Sequence, residues 1–187
     1  MPASLILHPA DPEFAPPSAD ELASKLRAIG LIGAAWGEPD GQRYLIGEHF
    51  LQLVSFLGCA PAIELAPGGA DQAFCHIGIS PVTREPEFRV DSRDVMPRCP
   101  HCRHRLADWP ARIEGWQSNP AHRTACPGCD APLSVLELDW RQAAGFGRIF
   151  IRIFNIYPRE ALPTEALGNR LRQATGQSWN YFFQREE

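Results

Sequence analysis

Cys99-Pro100-His101-Cys102 is answered, after 23 intervening residues, by Cys126-Pro127-Gly128-Cys129. A C-x-x-C unit sets two sulfurs on one tight turn. The Pro after each first Cys fixes φ there and carries no amide hydrogen to be satisfied. One such unit is common, but two at this separation have the spacing of a metal site. Four thiolates about 2.3 Å from a tetrahedral Zn²⁺ complete its shell and leave no vacancy for water or substrate, which is the mark of a structural rather than a catalytic zinc. The sequence therefore predicts one structural Zn²⁺ held by Cys99, Cys102, Cys126 and Cys129. The alternative use of Cys99-Pro100-His101-Cys102 is a redox pair at a helix N-terminus, as in periplasmic thiol oxidases. Here Arg103 to Trp109 meets Pro110 before any full-length helix, and the second Cys pair offers the thiols a better use.

Working outward, residues 96–141 read as a zinc ribbon inserted into an α+β body formed by 1–95 and 142–187. Leu106, Trp109, Ile113 and Trp116 supply apolar cover for the metal turns. Leu133 to Trp140 alternates as a strand. A unit of this size makes little core alone, so metal binding would contribute on the order of 10 kcal/mol to its folding.

In the body, Leu5 to Leu7 reads as a short strand closed by His8-Pro9. Ser18-Ala19-Asp20-Glu21 is a capping box, and Leu22, Leu26 and Ile29 follow at helical spacing up to Gly30. Leu31 to Trp36 and Arg43 to Ile46 flank the turn signal Glu38-Pro39-Asp40-Gly41 as a hairpin. Phe50, Leu53, Val54 and Leu57 share a helical face that Gly58 ends, and the same residues also admit a strand. Ala62 to Leu65, Phe74 to Ile79 and Phe88 to Val90 are strand candidates. Arg148 to Tyr157 is apolar on both sides, with Ile149, Ile151 and Ile153 against Phe150, Phe154 and Ile156, as in a central strand. Thr164 caps a helix carrying Leu167, Leu171 and Ala174 inward and ending at Gly176. Trp179 to Phe183 closes the chain as a strand. These elements give a sheet covered by two or three helices, and a ferredoxin-like order fits.

At 187 residues and 44% hydrophobic, the chain can bury one core, and its formal net charge of −4 suits non-specific phosphate binding poorly. The N-terminus lacks the basic, apolar pattern of a secretory signal and no apolar run has membrane length. Cys in metal spacing suits a reducing compartment, so the expected location is the cytoplasm. The only Lys, Lys25, has no Gly-rich loop around it, which argues against a P-loop nucleotide hydrolase.

Three further readings arise. Arg103, Arg105, Arg112 and Arg123, with Trp109 and Trp116 among them, offer a surface for single-stranded nucleic acid, against which Asp108, Glu114, Asp130, Glu137 and Asp139 nearly balance the charge. His49, Cys59, Cys75 and His76 make either a second metal site or, as His49, Cys59 and His76, an enzyme pocket. Their apolar neighbours favour core packing, where free Cys behaves as a small hydrophobe. Arg152, within an apolar strand, needs a partner such as Glu160 or Glu165.

Gly47-Glu48-His49-Phe50, Phe56-Leu57-Gly58-Cys59-Ala60-Pro61, the two C-P-x-C turns, Leu138-Asp139-Trp140-Arg141, Gly145-Phe146-Gly147-Arg148 and Trp179-x-Tyr181-Phe182 resemble a family of small uncharacterised bacterial zinc-ribbon proteins. That resemblance implies a bacterial, cytoplasmic, zinc-binding protein and selects no activity. The expectation is a non-enzymatic protein whose ribbon, with exposed aromatics and Arg, meets a protein partner. Nucleic-acid association is the runner-up, and an enzyme with its site in the body comes third.

Overall fold

The computed structural model describes residues 3–37, 42–57, 63–68, 73–92, 94–156 and 161–185. Its strands are β1 (Ala3–Pro9), β2 (Ile32–Ala35), β3 (Arg43–Ile46), β4 (Val54–Phe56), β5 (His76–Ile79), β6 (Glu87–Val90), β7 (Thr124–Ala125), β8 (Pro132–Leu133), β9 (Ala144–Gly147), β10 (Ile151–Ile156), β11 (Ala161–Pro163) and β12 (Trp179–Arg185). Its helices are α1 (Ala19–Ala28), α2 (Phe50–Leu53), α3 (Trp109–Ser118) and α4 (Glu165–Thr175).

Both long body helices begin and end where their sequences say. Ser18 Oγ accepts from Glu21 N at 3.1 Å, and Thr164 Oγ1 from Leu167 N at 3.3 Å. Gly30 and Gly176, both at φ 75, end these helices in the left-handed conformation that Gly adopts without strain. Glu21 pairs with Lys25 at 2.9 Å. Leu22 and Leu26 of α1 and Leu167 and Leu171 of α4 are fully buried against the sheet.

The sheet runs β12-β1-β10-β5-β3-β2, every neighbour antiparallel. α1 lies between β1 and β2 in the chain, and α4 between β10 and β12, so the two strands flanking β1 are joined through α4. The β2–β3 hairpin forms as expected and extends the edge; its turn residues lie outside the described positions. Leu5, Leu7, Ile77, Ile79, Ile151 and Ile153 face the helices as one core. The opposite face carries a smaller cluster of Ile6, Phe150 and Phe182. Period-two alternation explains both sets, with one exception. The β1–β10 register shifts between Ala3 and Leu5, and Asn155 takes φ 54, so Ile156 turns to the helix side rather than joining Phe154.

Several expected elements change. The helix foreseen through Leu57 is a single turn, because Val54–Phe56 pairs instead with Ala161–Pro163. Residues 63–65 form no strand. Pro110 does not halt a helix but opens one, sitting in the first turn of α3 where its missing amide is not needed. Leu133 to Trp140 is no strand: after β8, Ser134 and Glu137 form a reciprocal capping box around a 3₁₀ turn, Val135–Glu137. Arg152 Nε donates to Ser4 Oγ at 2.9 Å, and its guanidinium lies 4.4 Å from the Phe154 ring centre; Glu160 is outside the described residues. Among the described residues no helix is long and apolar enough to cross a membrane.

Candidate metal centre

Each Cys pair closes the same turn. Arg103 N donates to Cys99 O at 3.0 Å, and Asp130 N to Cys126 O at 2.9 Å. Arg103 and Asp130, each following the second Cys of its pair, take φ 64 and 57. Non-Gly residues visit that region at a cost, so the turns are held from outside the backbone. In both turns the amide two residues past the first Cys points at its sulfur, His101 N at Cys99 Sγ and Gly128 N at Cys126 Sγ, each 3.4 Å. The prolines at 100 and 127 leave these amides the first available donors.

All four Sγ atoms lie within 4.8 Å of one another. The short contacts run between the turns: Cys99 to Cys129 at 3.8 Å and Cys102 to Cys126 at 3.7 Å. A tetrahedron of sulfurs about 2.3 Å from a central ion has edges of about 3.8 Å. A disulfide would require about 2.05 Å. The cluster is therefore compatible with one bound metal ion, and soft thiolates in such a set favour zinc. Cys99 and Cys126 are fully buried, whereas Cys102 and Cys129 face outward.

The thiols restrain one another. Burial opposes charge on Cys99, but the amides of Cys102 and His101, with the Cys126 and Cys102 thiols, outweigh it and lower this thiol to about 6. At Cys129 the Ala131 amide lowers the thiol, while burial and the neighbouring thiols of Cys102, Cys126 and Cys99 push it up to about 12. Cys99 is thus held in favour of its thiolate, whereas Cys102 and Cys129 are both pushed up.

Behind the turns stands a second core. Cys99 and Cys126 pack with Leu106, Trp109, Ile113, Trp116, Leu133, Val135, Leu138, Trp140 and Phe146, and Phe88 and Val90 of β6 reach in. Phe88 lies 5.0 Å from the rings of both Trp140 and Phe146, and Trp109 meets Trp140 edge-on at 5.5 Å. Trp109, Trp116 and Trp140 are 6%, 4% and 7% exposed. Trp109 and Trp116, expected on the surface, lie instead in this interior, packed with the aliphatic side chains and with Phe88 and Phe146 behind the metal turns.

The arginines around the Cys turns are largely engaged. Arg112, 4% exposed, donates to Asp108 Oδ2 at 2.9 Å, Thr124 O at 3.1 Å and Ala125 O at 2.9 Å, tying α3 to β7. Arg123 chelates Glu137, and Arg103 pairs with Asp139 at 2.9 Å. Arg105 remains exposed. The structural role of Arg112 was hidden in the sequence, since only the fold brings the two β7 carbonyls to it. The Ser134-x-x-Glu137 spacing, by contrast, was a readable capping signal.

The other candidates do not converge. Cys75 is buried in the helix-side core, which raises its thiol to about 12, while adjacent His76 projects to the other face and stacks on Phe154 at 4.5 Å. His49 stands at the start of α2, 3.4 Å from Arg170 Nη1. Cys59 lies outside the described residues. Among the described residues, the four Cys form the only group of three or more His, Cys, Asp or Glu with metal-binding spacing. His101 and His104 are exposed, and His122 contacts Thr124 Oγ1 at 3.1 Å. Comparison of the chain with protein-family models, with curated proteins and with solved structures finds no match in any of the three, so the bacterial family resemblance gains no support from them.

Proposed function

We propose that this is a non-enzymatic zinc protein in which Cys99, Cys102, Cys126 and Cys129 hold one Zn²⁺ for structure, and that the metal-braced unit presents a protein-binding surface. The carrying observation is the inter-turn sulfur spacing of 3.7 and 3.8 Å, the edge length of a zinc tetrathiolate. Four sulfurs fill the shell, which favours a structural over a catalytic ion. The zinc unit is read as an insertion between strands of a ferredoxin-like body, a reading supported by the order β12-β1-β10-β5 with α1 and α4 as its crossings.

Protein contact is favoured over nucleic acid because Arg103, Arg112 and Arg123 are engaged within the unit. The tips of both Cys turns, 101–105 and 127–130, are exposed and would form a firm projecting end once metallated. Zinc content and free thiols on protein purified without added metal test the first part. One zinc per chain is expected, with four thiols reacting only after chelation. Disulfides within the two C-x-x-C pairs and no metal would overturn it. The second part is tested by single-stranded DNA binding across a salt series: the proposal expects none, and affinity falling steeply with salt would replace it with the nucleic-acid reading.

A further inference from the structure

Between the zinc unit and the end of the sheet lies a cleft of about 410 Å³, a volume usual for small-molecule sites. His8, 8% exposed, is one of its lining residues. His8 Nδ1 sits 3.0 Å from both Phe146 O and Pro9 O. A ring nitrogen between two carbonyl oxygens must carry the proton, so Nε2 bears the lone pair and is an acceptor. His8 lines the cleft, and its Nε2 has no hydrogen-bond partner among the described residues. The missing Cβ of Gly145 leaves room at this edge of the ring: a Cβ there would stand 2.6 Å from His8 Cδ2, 2.7 Å from Nε2 and 2.8 Å from Phe182 Cε1. Opposite His8 across the β1–β12 ladder is Asn180, on the same face.

The rim is conformationally unusual. Arg141 and Gln142 take φ 53 and 58 in succession, and Ala143 N closes the turn on Trp140 O at 3.0 Å. Such turns are ordinarily made by Asn-Gly. Here Phe183 N holds Gln142 O at 3.3 Å, and Asp139 Oδ1 accepts from Arg141 N at 3.0 Å. A strained turn kept in this way places two long polar side chains at the cleft's edge. Arg141 has no ion pair among the described residues. The acid beside it, Asp139, is engaged by Arg103 at 2.9 Å. Trp140, Phe146 and Trp179 supply an aromatic wall.

We propose that this cleft binds a small aromatic acid, with its carboxylate on Arg141, its ring against the aromatic wall and a hydroxyl or N–H donating to His8 Nε2. The site is separate from the metal centre and stands whether or not the zinc unit meets a protein. 4-Hydroxybenzoate carries all three features, benzoate lacks the donor, and phenol lacks the carboxylate. Titration of the ¹⁵N-labelled, zinc-loaded full chain should give saturable shifts at the Gly145 amide and the Trp179 indole within about 10 mM 4-hydroxybenzoate. Benzoate should bind about 2- to 10-fold more weakly, the yield of one neutral hydrogen bond, and phenol about 10-fold or more so, the yield of a charge-assisted one. Arg141→Ala should reproduce the phenol loss, and His8→Phe should make 4-hydroxybenzoate and benzoate equal. Should His8→Phe fail to fold, the benzoate comparison on the unaltered protein decides the same point. No saturable shift by 10 mM, shifts confined elsewhere, or equal binding of benzoate by the unaltered protein would each overturn the proposal.

Discussion

Replacing Cys126 by Ser should separate the four-thiolate assignment from every other use of these cysteines. Cys126 Sγ lies 3.7 Å from Cys102 Sγ, accepts from Gly128 N at 3.4 Å, and its residue is fully buried. A serine hydroxyl fits that space but is neither soft nor deprotonated at neutral pH. Structural zinc in small Cys/His units contributes about 10–16 kcal/mol, so one ligand in four accounts for about 2.5–4 kcal/mol. Cys126→Ser should therefore weaken zinc roughly a hundredfold to a thousandfold, as read by competition with a chromophoric chelator. Since Trp109, Trp116 and Trp140 pack in the same cluster as Cys99 and Cys126, near-ultraviolet circular dichroism should collapse in parallel. Cys75→Ser is the control. It puts a hydroxyl into the helix-side core and should lower stability by about 1–3 kcal/mol while leaving zinc affinity unchanged. Equal zinc affinity in Cys126→Ser and the unaltered protein, or loss of zinc in Cys75→Ser, would refute the reasoning.

Arg112→Ala removes a buried guanidinium that satisfies Asp108, Thr124 O and Ala125 O, so a loss of about 2–4 kcal/mol is expected in denaturant unfolding, and Arg112→Lys should recover only part because an ammonium lacks the planar fork. Burial lowers the His8 pKa from 6.5 despite its bonds to Pro9 and Phe146 carbonyls. Between that lowered value and pH 6.5 the unfolded chain holds a proton that the folded chain does not, so His8's contribution is fully present above pH 6.5 and lost as pH falls through this window. The urea-unfolding free energy of His8→Asn should show a shallower acid slope than that of the unaltered protein. Thr164→Ala should cost about 1–2 kcal/mol in thermal unfolding, since its hydroxyl caps α4 and also contacts Leu53 O at 3.0 Å.

The readable parts of this chain are those whose signals are local. Ser18 and Gly30 bracket α1, Thr164 and Gly176 bracket α4, and the two C-P-x-C turns announce a metal cluster, because capping, left-handed termination and thiolate spacing depend on residues within a few positions of each other. The misreadings have local grammar too. Pro110 stands where a helix starts, and Ser134-x-x-Glu137 outweighs the alternation of Leu133 to Trp140. Val54 to Phe56 is different: its periodicity admits helix or strand, and the distant partner Ala161–Pro163 decides for the strand.

By itself, then, the sequence determined the α+β class, the helices α1 and α4 and the four clustered sulfurs. Only the tertiary structure decided the strand order, the burial of Trp109, Trp116 and Trp140 with Phe88 and Phe146, the engagement of Arg112 by carbonyls 12 and 13 residues away, and the gathering of His8, Gly145 and Arg141 around one cleft. Those outcomes depend on contacts between segments far apart in the chain, and no periodicity or short spacing encodes which distant surfaces will share a core.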